Sequence, residues 1–340
     1  MKNLKKNSII LLAITIVVLI CVLKDDFSNI INTLSGANYG WIIIALLCFF
    51  VGIGFEAKAY QEIIQGYEYD YTFKKSYRML LITKFFNGIT PFSSGGQPMQ
   101  IYMLKKDGVR ITKATNIIIQ NFIIYQAALV MFGIIAIIIN NSLKLFTQVT
   151  ILKQLVTLGF IINTLVMIGL IIISFSNKFN HFIVSKSINI LSKMKLIKDK
   201  EKMQEKWREK VDDFHEGAEY LKKNKMLCLR TFVYNLIYLA LNYVMPYFVI
   251  LALAKTVTDA TPLKAICASA YVLIMGSFVP IPGASGGIEY GYLKFFGNFI
   301  GGTLLKASLL IWRTISYYLP MLIGGILFNI NIKRGEEKCE

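Results

Sequence analysis

The sequence predicts an all-α integral membrane protein of about six transmembrane helices. Two re-entrant broken hairpins join them in an inverted-topology repeat. Three observations lead there: long apolar runs, the positions of Lys and Arg between those runs, and a short motif that occurs twice. The chain of 340 residues is 55% hydrophobic, and its mean hydropathy is +0.54. Soluble domains are usually less apolar. The apolar residues also come in uninterrupted runs such as "SIILLAITIVVLICVL" and "TLVMIGLIIISF". Runs near twenty residues are what a helix needs to cross a bilayer. The spanning candidates are 8–23, 40–57, 114–139, 151–175, 227–254 and 303–329.

The N-terminal stretch "MKNLKKNSIILLAITIVVLICVLKDDFS" has the basic head and apolar run of a signal peptide. It lacks a small-x-small cleavage site and many spans follow, so it reads as a retained first helix. The two broken regions are 79–104 and 264–300. Each is interrupted by P-x-x-S-G-G, first at Pro91–Gly96 and again at Pro282–Gly287.

The formal net charge is +17. Because the cations lie between apolar spans, they read as markers of cytoplasmic loops, with anionic headgroups as partners. Nucleic acid is not an expected partner. Lys2, Lys5 and Lys6 place the N-terminus inside, and Lys58, Lys74, Lys75 and Arg78 place the second connection inside. After the first broken region come Lys105, Lys106, Arg110 and Lys113, again an inside signature. That region therefore enters and leaves on the cytoplasmic side. The next two spans put the basic segment 176–226 inside, and if the second broken region is likewise re-entrant, but from outside, the tail with Lys333, Arg334 and Lys338 falls inside too. The result is a multi-pass protein of the cytoplasmic membrane with both termini cytoplasmic. A span, a hairpin and a span occur twice with opposite orientation, the plan of many transporters.

The divisions that follow are an N-terminal helix and outer loop (1–39), a first membrane half (40–175), a cytoplasmic insertion (176–226), a second half (227–332) and a tail (333–340). In the insertion, Ile183, Ile190, Met194 and Ile197 share a helical face while Lys186, Lys193 and Lys200 lie elsewhere. This spacing suits a basic helix lying on the inner leaflet.

Irregular backbone at membrane depth is tolerated only when buried in protein or lining a cavity. Two such breaks, brought together from opposite faces, would frame one polar site. In the first, Ser94, Gly95, Gly96 and Gln97 lead into Pro98, read as the first helical residue. In the second, Ser285, Gly286 and Gly287 lead into Glu289 in the first helical turn. The glycines permit close approach and positive φ. Helix N-termini offer free N–H groups to an anion such as a phosphate. The competing reading is a pair of tight turns without a ligand.

A charge near mid-membrane costs roughly 2.5–3.5 kcal/mol on insertion scales, so it usually faces a cavity or a partner. Arg313 in the last span is the clearest case; Lys84 lies within the first hairpin, Glu289 just past the second break, and Glu56 near the inner end of the second span. An Arg313–Glu289 ion pair and a phosphate contact by Arg313 are both open. Gln120, with Asn116 and Asn121, and Asn235 with Asn242, read first as interhelical hydrogen bonds and second as substrate contacts. No catalytic residue, metal or cofactor is expected. The chain has no P-loop, dinucleotide fingerprint or HExxH. Its only histidines, His181 and His215, sit in the insertion, and its five cysteines have no ligand spacing.

The segments "FFNGITPFSSGGQPMQIYMLKK", "VPIPGASGGIEYGYLKFF" and "WRTISYYLP" resemble the flippase-like family. That is the membrane region of lysylphosphatidylglycerol synthases, also called multiple peptide resistance factors. The resemblance implies a domain that moves an aminoacylated phospholipid between leaflets. Its pattern falls on Pro91, Gly95, Gly96 and Gln97, on Pro282, Gly286, Gly287 and Glu289, and on Arg313, Tyr317 and Pro320. The full enzymes continue into a soluble synthase domain, whereas this chain stops at Glu340. Lysyl transfer by this chain is therefore not expected, and a separate synthase is a candidate partner; oligomerisation is left open. The substrate-binding set expected is Arg313, Glu289, Lys84, Ser94–Gln97, Ser285–Gly287, Gln120 and Tyr317. The alternatives are transport of a polyprenyl-phosphate-linked or small soluble substrate, and a membrane component of lysylphosphatidylglycerol synthesis.

Overall fold

The structure is a computed structural model. It describes residues 27–146 apart from Glu68, residues 150–175, scattered positions between 185 and 217, and residues 219–336 apart from Phe278. The predicted span 8–23 and most of the amphipathic insertion lie outside the described residues. The side chains of residues 331–336 do too.

Every described element is a helix. In chain order these are α1 (Phe27–Ser35), α2 (Tyr39–Gly66), α3 (Phe73–Ile89), α4 (Gly96–Lys106), α5 (Ile111–Leu143) and α6 (Thr150–Phe175). Then come α7 (Lys225–Leu253), α8 (Pro262–Gly276), α9 (Gly287–Phe296), α10 (Gly302–Arg313) and α11 (Leu319–Glu336). Tyr39–Gly66, Ile111–Leu143, Gln154–Ile172, Lys225–Leu253 and Gly302–Ile330 are long and apolar enough to cross a membrane. They correspond to five of the six predicted spans. Leu158, Ile161, Leu165 and Ile168 on α6 are exposed. For such a helix lipid is the natural partner of that face.

One boundary differs from the sequence reading. The span expected over 40–57 continues as helix to Gly66. Its last turns are polar on one side, which ends an apolar window early, but Ala59, Tyr60, Ile63 and Ile64 are buried against the bundle. Glu56 therefore lies in the body of the helix rather than at its end.

The two broken regions are built alike. α3 begins behind Thr72, whose side chain accepts from the Lys75 N–H. α8 begins behind Thr261, whose side chain accepts from the Lys264 N–H. Such caps satisfy one of the orphan donors of the first turn. α3 leads almost directly into a short 3₁₀ turn, Pro91–Ser93, while α8 ends at Gly276 and a short link leads to the matching turn, Pro282–Ala284. The chain then folds back, α4 packing on α3 and α9 on α8. At 1.5 Å per residue α4 and α9 are only about 15 Å long, half the hydrocarbon thickness.

α2 and α7 form the most extensive helix pair, and α3 packs along α11. The halves are thus interleaved rather than side by side.

Candidate functional site

The motif turns themselves come first. In both, the two residues after proline have positive φ: Phe92 at 53° and Ser93 at 52°, Gly283 at 64° and Ala284 at 50°. In both, the motif serine donates back to the proline carbonyl, Ser94 to Pro91 at 2.9 Å and Ser285 to Pro282 at 3.2 Å. The shared sequence thus makes a shared turn, and the two turns lie against each other.

Here the structure corrects the expected role of the first glycine pair. Gly95 has φ −78° and Gly96 is helical, so neither uses positive φ. They are needed for room: a Cβ on Gly95 would lie 2.6 Å from the Thr90 side chain, and one on Gly96 would collide with Asn87. In the second copy Gly286 does use positive φ, at 87°. Pro98 is the third helical residue, not the first, still within the turn whose N–H groups lack helical partners.

Nor are the motif helix starts simply open to an anion. The Gly286 N–H donates to Glu289 Oε2 at 2.6 Å, and the Gly95 N–H donates to Thr90 Oγ1 at 2.8 Å. A carboxylate of the chain itself already occupies the positive end of α9.

Above the turns, the last span changes its winding. α10 ends at Arg313 and a π-helical turn, Thr314–Tyr318, connects it to α11. Such π-turns inside helices are frequent at functional sites. Arg313 is only 4% exposed. Its Nε lies 2.7 Å from Glu289 Oε1, and its Nη2 donates to the Gly283 carbonyl at 3.1 Å. The ion pair misses hydrogen-bond angles, so Arg313 Nε and Glu289 Oε1 have no hydrogen-bond partner. The guanidinium also lies over the Tyr317 ring, 4.3 Å from its centroid, a favourable cation–π arrangement.

A second pair comes from the first half. Lys84 on α3 donates to Glu56 Oε2 at 3.2 Å and to Tyr238 Oη on α7 at 3.0 Å. Within the bundle both cations are thus partnered, as the cost of a lone charge away from water demands.

Between these pairs lies a cavity of about 300 Å³. Lys84 and Arg313 both line it, with Asn87, Ser93, Asn242 and Tyr317 among the polar contributors. Pro246 inside α7 lacks the N–H that would bond the Asn242 carbonyl four residues back. That carbonyl, at a lining residue, therefore lacks its usual helical donor. The volume stands at the lower end of the roughly 300–1,000 Å³ usual for ligand pockets.

Of the expected site residues, the cavity brings together Lys84, Arg313 and Tyr317. Glu289 and the motif residues Ser285, Gly286 and Gly287 stand one layer behind, holding Arg313 and the turn. Ser94 and Gln97 are exposed beside the first turn. Gln120 is elsewhere: its Nε2 donates to Tyr67 Oη, and Gly217 of the insertion packs against both. Asn235 donates to Asn121 at 3.2 Å, so this polar pair bridges α7 and α5. Sequence reasoning missed Asn87, Tyr125, Tyr238, Tyr243 and Ser269 as lining residues. Each is an ordinary residue within an apolar helix, and only packing singles it out.

Among the described residues no group of three His, Cys, Asp or Glu side chains is placed to hold a metal.

The chain is similar over most of its length to several other proteins, two of them described as membrane proteins. It is 24% identical to a UPF0104 membrane protein of Pyrococcus horikoshii, over 97% of this chain and 98% of that one. It is 22% identical to an uncharacterised protein of Mycoplasma genitalium, over 94% of this chain and 86% of the other. A UPF0104 membrane protein of Archaeoglobus fulgidus is 24% identical over 78% of each chain. The family model of the lysylphosphatidylglycerol synthase TM region matches residues 8–324, including both motif turns, both charge pairs and the π-turn. The chain therefore belongs to the family of the lysylphosphatidylglycerol synthase transmembrane region.

Proposed function

We propose that this protein is a flippase-like translocator that carries a phospholipid headgroup between the leaflets of the cytoplasmic membrane. The observation that carries the reading is the cavity where the motif turns meet, lined by one cation from each half, the half-buried Lys84 and the buried Arg313. A phosphate cannot enter hydrocarbon without replacing the water it leaves. Two cations, with hydroxyl and amide groups around them, offer that replacement. Each cation is already held by a carboxylate, Glu56 or Glu289. A phosphate would therefore displace or share a partner rather than meet a bare charge. This moderates binding, as release on the far side requires. With an aminoacylated lipid such as lysylphosphatidylglycerol, the displaced carboxylates would meet its ammonium groups.

The inverted repeat belongs to the same proposal. Hairpin arms too short to span, turns of matching conformation and cations on the predicted cytoplasmic side support it. Alternating access would then come from rocking one half against the other about the paired turns.

The test is translocation in proteoliposomes with fluorescent phosphatidylglycerol, its lysyl derivative and phosphatidylethanolamine. Wild type is compared with Lys84→Gln and Arg313→Ala. Headgroup-selective movement that falls at least tenfold in folded Lys84→Gln supports the reading. Folded wild-type protein that moves none of the three lipids overturns it in favour of a polyprenyl-linked or soluble substrate.

A further inference from the structure

We infer a second lipid site, separate from the central cavity, on the cytoplasmic flank of α2 and α7, which binds one anionic phospholipid of the inner leaflet. Lys58 is its pivot. This half-buried residue lines two neighbouring pockets of opposite character. One is an apolar groove of about 480 Å³ walled by Phe50, Val51, Gly54, Phe55, Phe73 and Tyr77. The other is a polar pocket of about 370 Å³ that includes Glu62, Tyr220, Asn224 and Arg230. An acyl chain and a phosphate headgroup have this same division, joined at the glycerol.

The dimensions and direction agree. From Phe50 to Lys58 is eight residues of helix, about 12 Å, close to the ~15 Å depth of one leaflet's hydrocarbon. The groove thus runs from near the midplane toward the end of α2 where Lys58, Lys74, Lys75 and Arg78 gather. Basic residues mark the cytoplasmic face, and that leaflet carries the anionic lipids.

The polar pocket is built rather than accidental. The Tyr234 hydroxyl donates to Glu62 Oε1 at 3.0 Å. Arg230 Nε lies 3.4 Å from Glu62 Oε2, an atom that is buried without a hydrogen bond. Glu62 thus holds Arg230 at the pocket while leaving its guanidinium accessible, at 55% side-chain exposure. Lys58 Nζ is held by Gln61 Oε1 at 3.1 Å. With Lys58 and Arg230 against Glu62, the charged lining has one positive charge in excess, matched to a phosphodiester. The central cavity shares none of these residues.

The experiment places p-benzoylphenylalanine at Phe73 in the full chain. The protein is reconstituted in phosphatidylcholine vesicles with a minority of phosphatidylglycerol, photolysed, and the attached lipid identified by mass. Phosphatidylglycerol should be enriched several-fold over its bulk share. Lys58→Gln and Arg230→Gln should each reduce that enrichment about fivefold, toward the bulk value, given the usual strength of one cation at an anionic membrane surface. Glu62→Gln, which removes the competing anion, should raise it. Lys84→Gln, in the central cavity, should leave it unchanged. Adducts that simply follow bulk composition in the unsubstituted protein would overturn the site, whatever the translocation assay shows. Adducts unaffected by both Lys58→Gln and Arg230→Gln would overturn it equally.

Discussion

The Tyr317 hydroxyl donates to the Gly88 backbone carbonyl at 3.0 Å, joining residues 229 positions apart. This bond fastens the π-turn of the last span to the end of α3, just before the first motif turn. The Tyr317 ring meanwhile underlies Arg313. One side chain therefore couples both motif hairpins at the rim of the cavity.

Tyr317→Phe should keep the ring and lose the tether. The cost should be about 0.5–1.5 kcal/mol, the usual net value of one hydrogen bond. The expected readout is a melting temperature in detergent a few degrees below wild type, together with slower lipid translocation. An unchanged melting temperature would mean the Gly88 carbonyl finds another donor.

Breaking the Arg313–Glu289 pair should be far more damaging. Both side chains are 4% exposed, so Glu289→Ala leaves a buried cation and should cost about 3–5 kcal/mol. It also uncaps the Gly286 N–H. The double substitution Arg313→Met with Glu289→Met should recover much of the lost stability but no translocation. Thermal unfolding of the two variants beside wild type separates the two contributions.

Gly283 and Gly286 both have positive φ but differ in surroundings. A Cβ on Gly283 would clash with the Tyr317 ring and hydroxyl, while one on Gly286 would meet nothing within 4 Å. Gly286→Ala should therefore show only the backbone penalty of a side chain at φ 87° and ψ −50°, about 1–3 kcal/mol. Gly283→Ala adds a collision at the cavity and should be the more severe in both folded yield and translocation.

Ser93 has φ 52° without being glycine, and it is exposed. Ser93→Gly should remove most of that strain and raise stability by about 1 kcal/mol, net of the extra freedom glycine gives the unfolded chain. A lower melting temperature would show that the Ser93 side chain makes a compensating contact.

The membrane class, five of the spans and the two helix-breaking turns were legible in sequence because each depends on local chemistry. Apolar length, proline, paired glycines and cations at loop ends act over one turn or one helix. The site was legible only where a residue was out of place in hydrocarbon. Lys84, Arg313 and Glu289 were found that way because a charge there requires a partner. Tyr125, Tyr238 and Ser269 carried no such signal. Gln120 carried the same kind of signal, but packing places its amide nitrogen on Tyr67, away from the cavity, and no local pattern encodes that placement.

What the sequence alone determined is a basic, multi-helix membrane chain with a twice-used turn and a few charges that must be compensated. Tertiary structure decided which charges pair, that the two turns touch, and that α9 is capped by Glu289 rather than left open. These depend on residues as far apart as Gly88 and Tyr317. No periodicity encodes such contacts; they arise when long helices pack and each buried polar group takes whichever partner the packing brings within reach.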